Sequence, residues 1–148
     1  MIYLCDIDGT IANIDHRLHF IQERPANWKA FFEACPDDEP IWEVLNTVEL
    51  LWEAGAVIIW VTGRSHEIYP QTVAWINKYT KIPPRRIYMR QEGDHREDVE
   101  VKAELLAQVL TEYGKTDAIW GAFEDRQQVV AMYRTHGLRV FQVAPGNF

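Results

Sequence analysis

With 148 residues, 47% of them apolar, the chain can bury one sizeable core, has little room for a second, and is too hydrophobic to be disordered. A formal charge of −7 argues against wrapping a long duplex, which needs many phosphate-neutralising cations, but permits a local basic patch for one phosphate or one strand end. No apolar run is long enough for a membrane span, an acidic motif stands where a secretory leader would be basic, and Cys5 and Cys35 lack metal or redox spacing. The expectation is a reducing, cytoplasmic compartment without membrane contact.

Residues 2–6 read as a short buried strand, with Cys5 toward the core, running straight into Asp6-Ile7-Asp8-Gly9-Thr10. Residues 11–39 are mixed in character, hold a short helix over 28–34, and form the only candidate for a small cap. A helix follows from 40 to 54, with Pro40 in its first turn and Ile41, Val44, Leu45, Val48, Leu51 and Trp52 at helical spacing. Gly55 stops it, and the apolar run 56–61 suits a central parallel strand. A helix over 69–79 presents Val73, Ile76 and Tyr79 on one face, and Pro83-Pro84 breaks the chain. A third strand covers 86–89, a helix 97–113 ends at Gly114, and a fourth strand covers 118–123. A helix over 126–136 closes at Gly137, a fifth strand covers 138–143, and 144–148 is a tail. The alternation predicts an α/β, Rossmann-like fold: about five parallel strands flanked by helices, in a single domain over 1–148 with residues 11–39 as a helical cap insert.

Ligands of such sheets bind beyond the carboxyl ends of the strands, and the polar clusters fall there. Asp6 suits a nucleophile that attacks phosphorus to give an aspartyl phosphate. Asp8 suits the acid that protonates the leaving oxygen and then the base that activates water. Gly9 permits a tight turn whose N–H groups face phosphate oxygens, and Thr10 steadies it. Thr62 offers a hydroxyl and an N–H to phosphate, Gly63 allows close approach, and Lys102 can neutralise phosphate and Asp6. Asp125, after the fourth strand, can complete a Mg²⁺ site with Asp6 and the backbone carbonyl of Asp8, since Mg²⁺ selects hard oxygen ligands. Glu124 either supports that site or caps the next helix.

The constellation resembles the phosphatases of the haloacid dehalogenase superfamily. Asp6-Ile7-Asp8-Gly9-Thr10 matches their first motif, Val61-Thr62-Gly63-Arg64 the second, Lys102 the third and Glu124-Asp125 the fourth, over essentially the whole chain. Within that superfamily, Thr62-Gly63-Arg64-Ser65, the stretch 90–102, Glu124-Asp125-Arg126-Gln127-Gln128-Val129-Val130 and the tail 142–148 resemble the 3′-phosphatase domain of bacteriophage-type polynucleotide kinase/phosphatase. The resemblance implies a Mg²⁺-dependent enzyme acting on the 3′-phosphate ends of DNA or RNA. It implies Arg64 at the substrate phosphate or strand backbone, and Asp98 holding Lys102 or Arg64. Such domains follow a kinase domain; no Gly-x-x-x-x-Gly-Lys-Ser/Thr loop occurs here. The implied protein is therefore a stand-alone phosphatase half, phage-encoded and acting in the host cytoplasm, with a separate kinase or ligase as partner. Where the family has two Asp residues this chain has Glu124-Asp125.

Arg85, Arg86, Arg90 and Arg96 crowd one stretch of an otherwise acidic chain and can hold phosphates next to a terminal nucleotide, or simply balance nearby acids. Arg90 and Arg96 are the stronger candidates for substrate binding. His16, His19 and Phe20 lie in the insert, where sugar or base contact competes with an ordinary lid role. His66 and His95 lie near the rim without metal spacing. Trp28, Phe31 and Phe32 read as the core of the insert, a pattern too short for a single-strand stacking surface. Trp42, Trp52, Trp60, Trp75 and Trp120 read as core or interface. A phosphatase of free nucleotides or other small phosphomonoesters is the alternative: a small insert favours an open site for a polymer end, while the acidic charge pulls the other way. A binding module that has lost turnover fits poorly, because Asp6, Asp8, Lys102 and Asp125 are all present. The sequence leaves DNA against RNA preference and oligomeric state open, a homo-oligomer included.

Overall fold

A computed structural model describes residues 1–146; the predicted tail residues Asn147 and Phe148 lie outside the described residues. Its first strand, β1 (Ile2–Cys5), lies at the centre of a five-stranded sheet. An insert follows: β2 (Ala12–Asn13), α1 (His19–Gln22), α2 (Trp28–Glu33) and β3 (Glu39–Pro40), with single 3-10 turns at Asp15–Arg17 and Cys35–Asp37. The rest alternates: α3 (Trp42–Glu53), β4 (Val57–Ser65), α4 (Tyr69–Tyr79), β5 (Ile87–Arg90), α5 (Asp98–Tyr113), β6 (Ile119–Glu124), α6 (Gln127–Thr135) and β7 (Val140–Gln142). The sheet order is β5-β4-β1-β6-β7, every pairing parallel. No helix among the described residues is long and apolar enough to cross a membrane.

Strand residues alternate between two cores, as a period of two requires. Tyr3 and Cys5 of β1, with Ile58 and Trp60 of β4, face Leu45 and Val48 of α3 and Trp75 and Ile76 of α4. Leu4, Ile59 and Val61 face the other way, toward Leu105, Leu106 and Val109 of α5 and Val129 and Tyr133 of α6. Helices therefore cover both faces. The chain builds the sheet outward from β1 in one direction through β4 and β5, then in the other through β6 and β7. The reversal leaves a crevice beyond the carboxyl ends of β1 and β6, where Asp6 and Glu124-Asp125 sit.

Two boundaries differ from expectation. Pro40 does not open a helix; it pairs with Ala12 in the two-strand ribbon that closes the base of the insert, and the Ile41 N–H reaches the Ile11 carbonyl at 2.7 Å. A strand only two residues long loses little by lacking one donor, and α3 starts two residues later. β4 runs on through Thr62-Gly63-Arg64 to Ser65, with a register shift between Thr62 and Ser65 against β5. Trp60 and Trp75 are core as predicted, whereas Trp42 and Trp120 stand about half exposed.

Leu45 is fully buried at the centre of the α3 face. Leu45→Ala is expected to lower the urea-unfolding free energy by about 2–5 kcal/mol with an unchanged m-value; a loss well below that range would place Leu45 outside the packed core.

Candidate active site

Pairing of β1 with β6 sets Cys5 beside Phe123, and the Asp6 N–H donates to the Phe123 carbonyl at 3.0 Å. The carboxylates that follow each strand are thus neighbours by register. The chain then turns sharply: the Ile7 carbonyl accepts the N–H groups of Thr10, Ile11 and Ala12 within 2.9–3.2 Å. Gly9 is required there twice over, since its φ is +82° and a Cβ would stand 2.3 Å from Asp125 Oδ2. The turn delivers Thr10, whose buried hydroxyl donates to Asp6 Oδ2 at 2.9 Å with Asp125 Oδ1 3.3 Å away.

Lys102 of α5 is buried against these strand ends. Its Nζ donates to Asp6 Oδ1 and to Glu124 Oε2, both at 2.7 Å, with Asp98 Oδ2 at 3.7 Å. Glu124 Oε1 accepts the backbone N–H groups of Asp125 and Arg126 at 3.2 and 3.0 Å. Both Glu124 oxygens are therefore committed, which assigns Glu124 to holding Lys102 and the start of the following loop. Burial, with Glu124 adding to it, pushes the Asp6 carboxyl up to about 7. Burial raises Glu124 to about 7 against the pull of Lys102, and burial with Asp6 raises Asp125 to about 6. Oxygens of Asp6, Glu124 and Asp125 lie within 4.8 Å of one another. Such mutual repulsion calls for a cation. Asp6 Oδ2 and the Asp125 carboxylate, hard oxygens outside the Lys102 bonds, fit Mg²⁺.

Asp8 sits in a different field. Its Oδ1 accepts Arg17 Nη2 at 2.7 Å and Arg64 Nε at 2.8 Å, with Arg64 Nη2 in ion-pair contact at 2.7 Å. Asp38 lies behind both guanidinium groups: it accepts Arg17 Nε and Nη2 at 2.7 Å, Arg64 Nη2 at 2.9 Å, and meets His16 Nε2 at 2.7 Å. Burial opposes ionisation of Asp8, but Arg64 and then Arg17 outweigh it and hold the carboxyl at about 2. Oδ2 takes none of these bonds. Arg64, expected at the substrate phosphate, is instead fully buried behind Asp8, with Nη1 on the Thr72 hydroxyl at 3.3 Å. Arg17 and Asp38 went unnoticed in the sequence. Arg17 lies nine positions after Asp8, and Asp38 sits in an Asp37-Asp38-Glu39 run; nothing in either spacing separates them from surface charge.

A cavity of about 710 Å³ opens over Asp6, Asp8, Lys102, Glu124 and Asp125. Thr62 does not line it: the residue is fully buried and its Oγ1 accepts the Arg64 N–H at 3.2 Å, while Gly63 and Ser65 reach the cavity in its place. Gly63 packs so closely that a Cβ would stand 2.0 Å from Asp98 Oδ1. Its carbonyl accepts Arg90 Nε at 2.9 Å, and Arg90 Nη2 meets Asp98 Oδ1 at 3.3 Å. Arg90 and Arg96 both line the cavity as expected. Each is also partnered, Arg90 with the carbonyls of Asp94 and Arg96, and Arg96 with Asp94 and Glu104. Asp98 faces Lys102, as the resemblance implies, and Arg126 Nη1 at 3.5 Å. Arg126, named from the sequence only as part of the 124–130 stretch and given no role there, lines the cavity as well. Arg85 and Arg86 lie on the exposed surface away from it. His95 borders the cavity; His16, His19, Phe20 and His66 do not.

The insert supplies the remaining wall. Ile21, Arg24, Trp28, Lys29, Phe31 and Phe32 line the cavity. Phe31 is buried as core, but Trp28, read as core from the sequence, is 48% exposed.

Comparison with known proteins bears on the family and the fold. A family model described as the polynucleotide kinase PNKP phosphatase domain matches residues 1–148. A protein of Autographa californica nuclear polyhedrosis virus, named for bifunctional polynucleotide kinase/RNA ligase activity, is 30% identical over 132 residues, covering 88% of this chain and 17% of the relative. A solved structure of a Pnkp1/Rnl/Hen1 complex aligns with TM-score 0.79 and 27% identity over 99% of this chain and 46% of that one. The class C acid phosphatase of Bacillus anthracis with tungstate bound shares the fold, at TM-score 0.65 and 12% identity over 99% of this chain and 67% of that one. The chain thus spans less than half the length of the two relatives of higher identity.

The two carboxylate groups give opposite pH dependences. Asp6, Glu124 and Asp125 have raised folded values, so their contribution to stability is complete below about pH 4 and is lost as pH rises through 6 to 7. Asp8 has a depressed value, so its contribution, about 2 kcal/mol, is present above about pH 4 and is lost as pH falls toward 2. The metal-free protein is expected to melt at progressively lower temperature as pH rises from 5 to 8. Added Mg²⁺ should raise the melting temperature at pH 8 by about 3–6 °C. Asp125→Asn should abolish most of that response; an undiminished response in the variant would remove Asp125 from the metal site.

Proposed function

The chain belongs to the polynucleotide kinase PNKP phosphatase domain family, and we propose that it is a Mg²⁺-dependent phosphomonoesterase that removes the 3′-phosphate from polynucleotide ends through an aspartyl phosphate on Asp6. One observation carries this reading: a buried carboxylate clamped by Lys102 and a second carboxylate anchored by one oxygen line the same cavity.

In the proposed reaction an Asp6 oxygen attacks phosphorus and the bond from phosphorus to the 3′-oxygen breaks. Asp8 Oδ2, the oxygen that Arg17 and Arg64 leave unbonded, gives the departing oxygen its proton. Oδ2 then takes a proton from water as the water attacks phosphorus, which releases phosphate and restores Asp6. Arg17 and Arg64 keep Asp8 ionised in the free protein. The monoanion of the ester, whose phosphate proton has a pKa of about 6, is therefore the source that loads Oδ2. Lys102 balances charge on the phosphate oxygens, while the N–H groups of the Gly9 turn, expected to face them, are spent on the Ile7 and Ala12 carbonyls. Asp6 and Asp125, with the Asp8 carbonyl, would hold Mg²⁺, which when bound orients the phosphate and reduces its repulsion from Asp6.

RNA is the favoured polymer, a choice supported by the likeness to a chain solved within an RNA repair complex of Pnkp1, Rnl and Hen1. The product would be a 3′-hydroxyl, the group that strand joining consumes, which supports a ligase and a kinase as companions of this reaction.

Phosphate release from equal concentrations of a 3′-phosphorylated oligonucleotide, its 5′-phosphorylated isomer and a 3′-mononucleotide tests the reading. Preference for the first is expected; preference for the mononucleotide would favour the small-molecule reading instead. Asp6→Asn should lower kcat by at least about a thousandfold with the far-ultraviolet circular dichroism unchanged. Asp8→Asn should slow an alkyl phosphate far more than a nitrophenyl phosphate, whose leaving group needs no proton; equal losses on both would remove Asp8 as the acid.

A further inference from the structure

The described residues include seven large apolar side chains that are substantially exposed, and six of them, among them Trp42, Trp120 and Phe141, lie away from the cavity. Trp28 is the exception. A six-residue helix that buries Phe31 to 3% exposure leaves its largest ring 48% exposed, on the wall of the space that holds Asp6 and Asp8. We propose that Trp28 is the platform on which the base of the terminal nucleotide stacks while its 3′-phosphate meets Asp6. This rests on the 3′-end reading above.

Three features support the assignment. The ring is held from behind: it packs edge-on against Phe31 at 5.7 Å and 86°, and against Phe32 at 6.1 Å. Phe31 is itself pinned under the Arg17 guanidinium at 4.3 Å, and Arg17 Nη1 donates to the Phe31 carbonyl at 3.2 Å. Arg17 also bonds Asp8, so the platform and the proposed acid share one rigid support. A preformed aromatic face costs little ordering on binding. Cations also stand on both sides of the cavity: Arg24 and Lys29 border it on the insert, and Arg90, Arg96 and Arg126, each paired with a carboxylate, border it on the sheet side. An aromatic face between cations matches a base flanked by phosphates, and stacking tolerates any base because every base has a π-face.

The test compares two oligonucleotides that carry a 3′-phosphate, one with an ordinary terminal nucleotide and one whose terminal sugar lacks its base. The wild-type protein is expected to prefer the base-bearing end by about five- to a hundredfold in kcat/KM, mostly through KM, the range expected for one stacked base. In Trp28→Ala that ratio should collapse toward one, and Trp28→Phe, which keeps a ring, should retain most of it. Thermal melts verify that each variant is folded. No preference in the wild type, or an undiminished ratio in folded Trp28→Ala, overturns the platform while leaving the 3′-end reading intact. If the wild type releases nothing from either oligonucleotide yet hydrolyses nitrophenyl phosphate, the 3′-end reading falls and the platform with it.

Discussion

Three carboxylates, Asp6, Glu124 and Asp125, are buried within 4.8 Å of one another, with Lys102 bonded to two of them. The register of β1 against β6 forces this crowding, because consecutive acids follow adjacent parallel strands. Burial alone would protonate them. Lys102 reaches in from α5 and Thr10 turns its hydroxyl inward, and the oxygens outside the Lys102 bonds make a site for a hard cation. Glu124 shows how narrow the role of one carboxylate can be: with Lys102 on one oxygen and two backbone N–H groups on the other, it fixes the charge that tunes Asp6 and has no oxygen uncommitted.

A second buried network joins the insert to the sheet. Arg17 comes from the insert, Arg64 from β4, and Asp38 from the return of the insert toward β3; together they enclose Asp8. Buried ion networks of this kind contribute little net stability, since desolvation offsets attraction, but the loss of one member leaves an uncompensated charge. Their effect is to fix one geometry. Here they lock a small insert, which has little core of its own, to the oxygen opposite the one that would move the proton.

The order of elements was legible because hydrophobic period and glycine punctuation agree with the tertiary structure, and α4 lies on its predicted bounds. Asp6, Asp8 and Asp125 were legible because they follow strands in a sheet whose rim must carry the ligand, and Lys102, inside α5, because its place matches the third motif of the resembled family. Arg64 was misplaced for a physical reason: a rim motif indicates that an arginine is near the site, but only the presence of Asp8 and Asp38 beneath it decides that the side chain folds inward. Arg17 and Asp38 were invisible because their partners are distant in sequence. Trp28 was assigned to the core because helical spacing groups it with Phe31 and Phe32; which ring faces the cavity depends on how the insert docks.

Asp6 and Asp8 are two residues apart in one turn, yet their carboxyls are driven to about 7 and about 2. The difference comes from where each points. Asp6 faces the sheet ends, where burial and Glu124 outweigh a single ammonium. Asp8 faces the insert, where two guanidinium groups outweigh burial. The paired motif therefore carries two unlike carboxyls only because residues far along the chain supply opposite fields. The insert reaches both: Arg17 bonds Asp8 and lies over Phe31, against which Trp28 packs at the cavity wall, so an end seated on that wall would meet an Asp8 carboxylate already held in position.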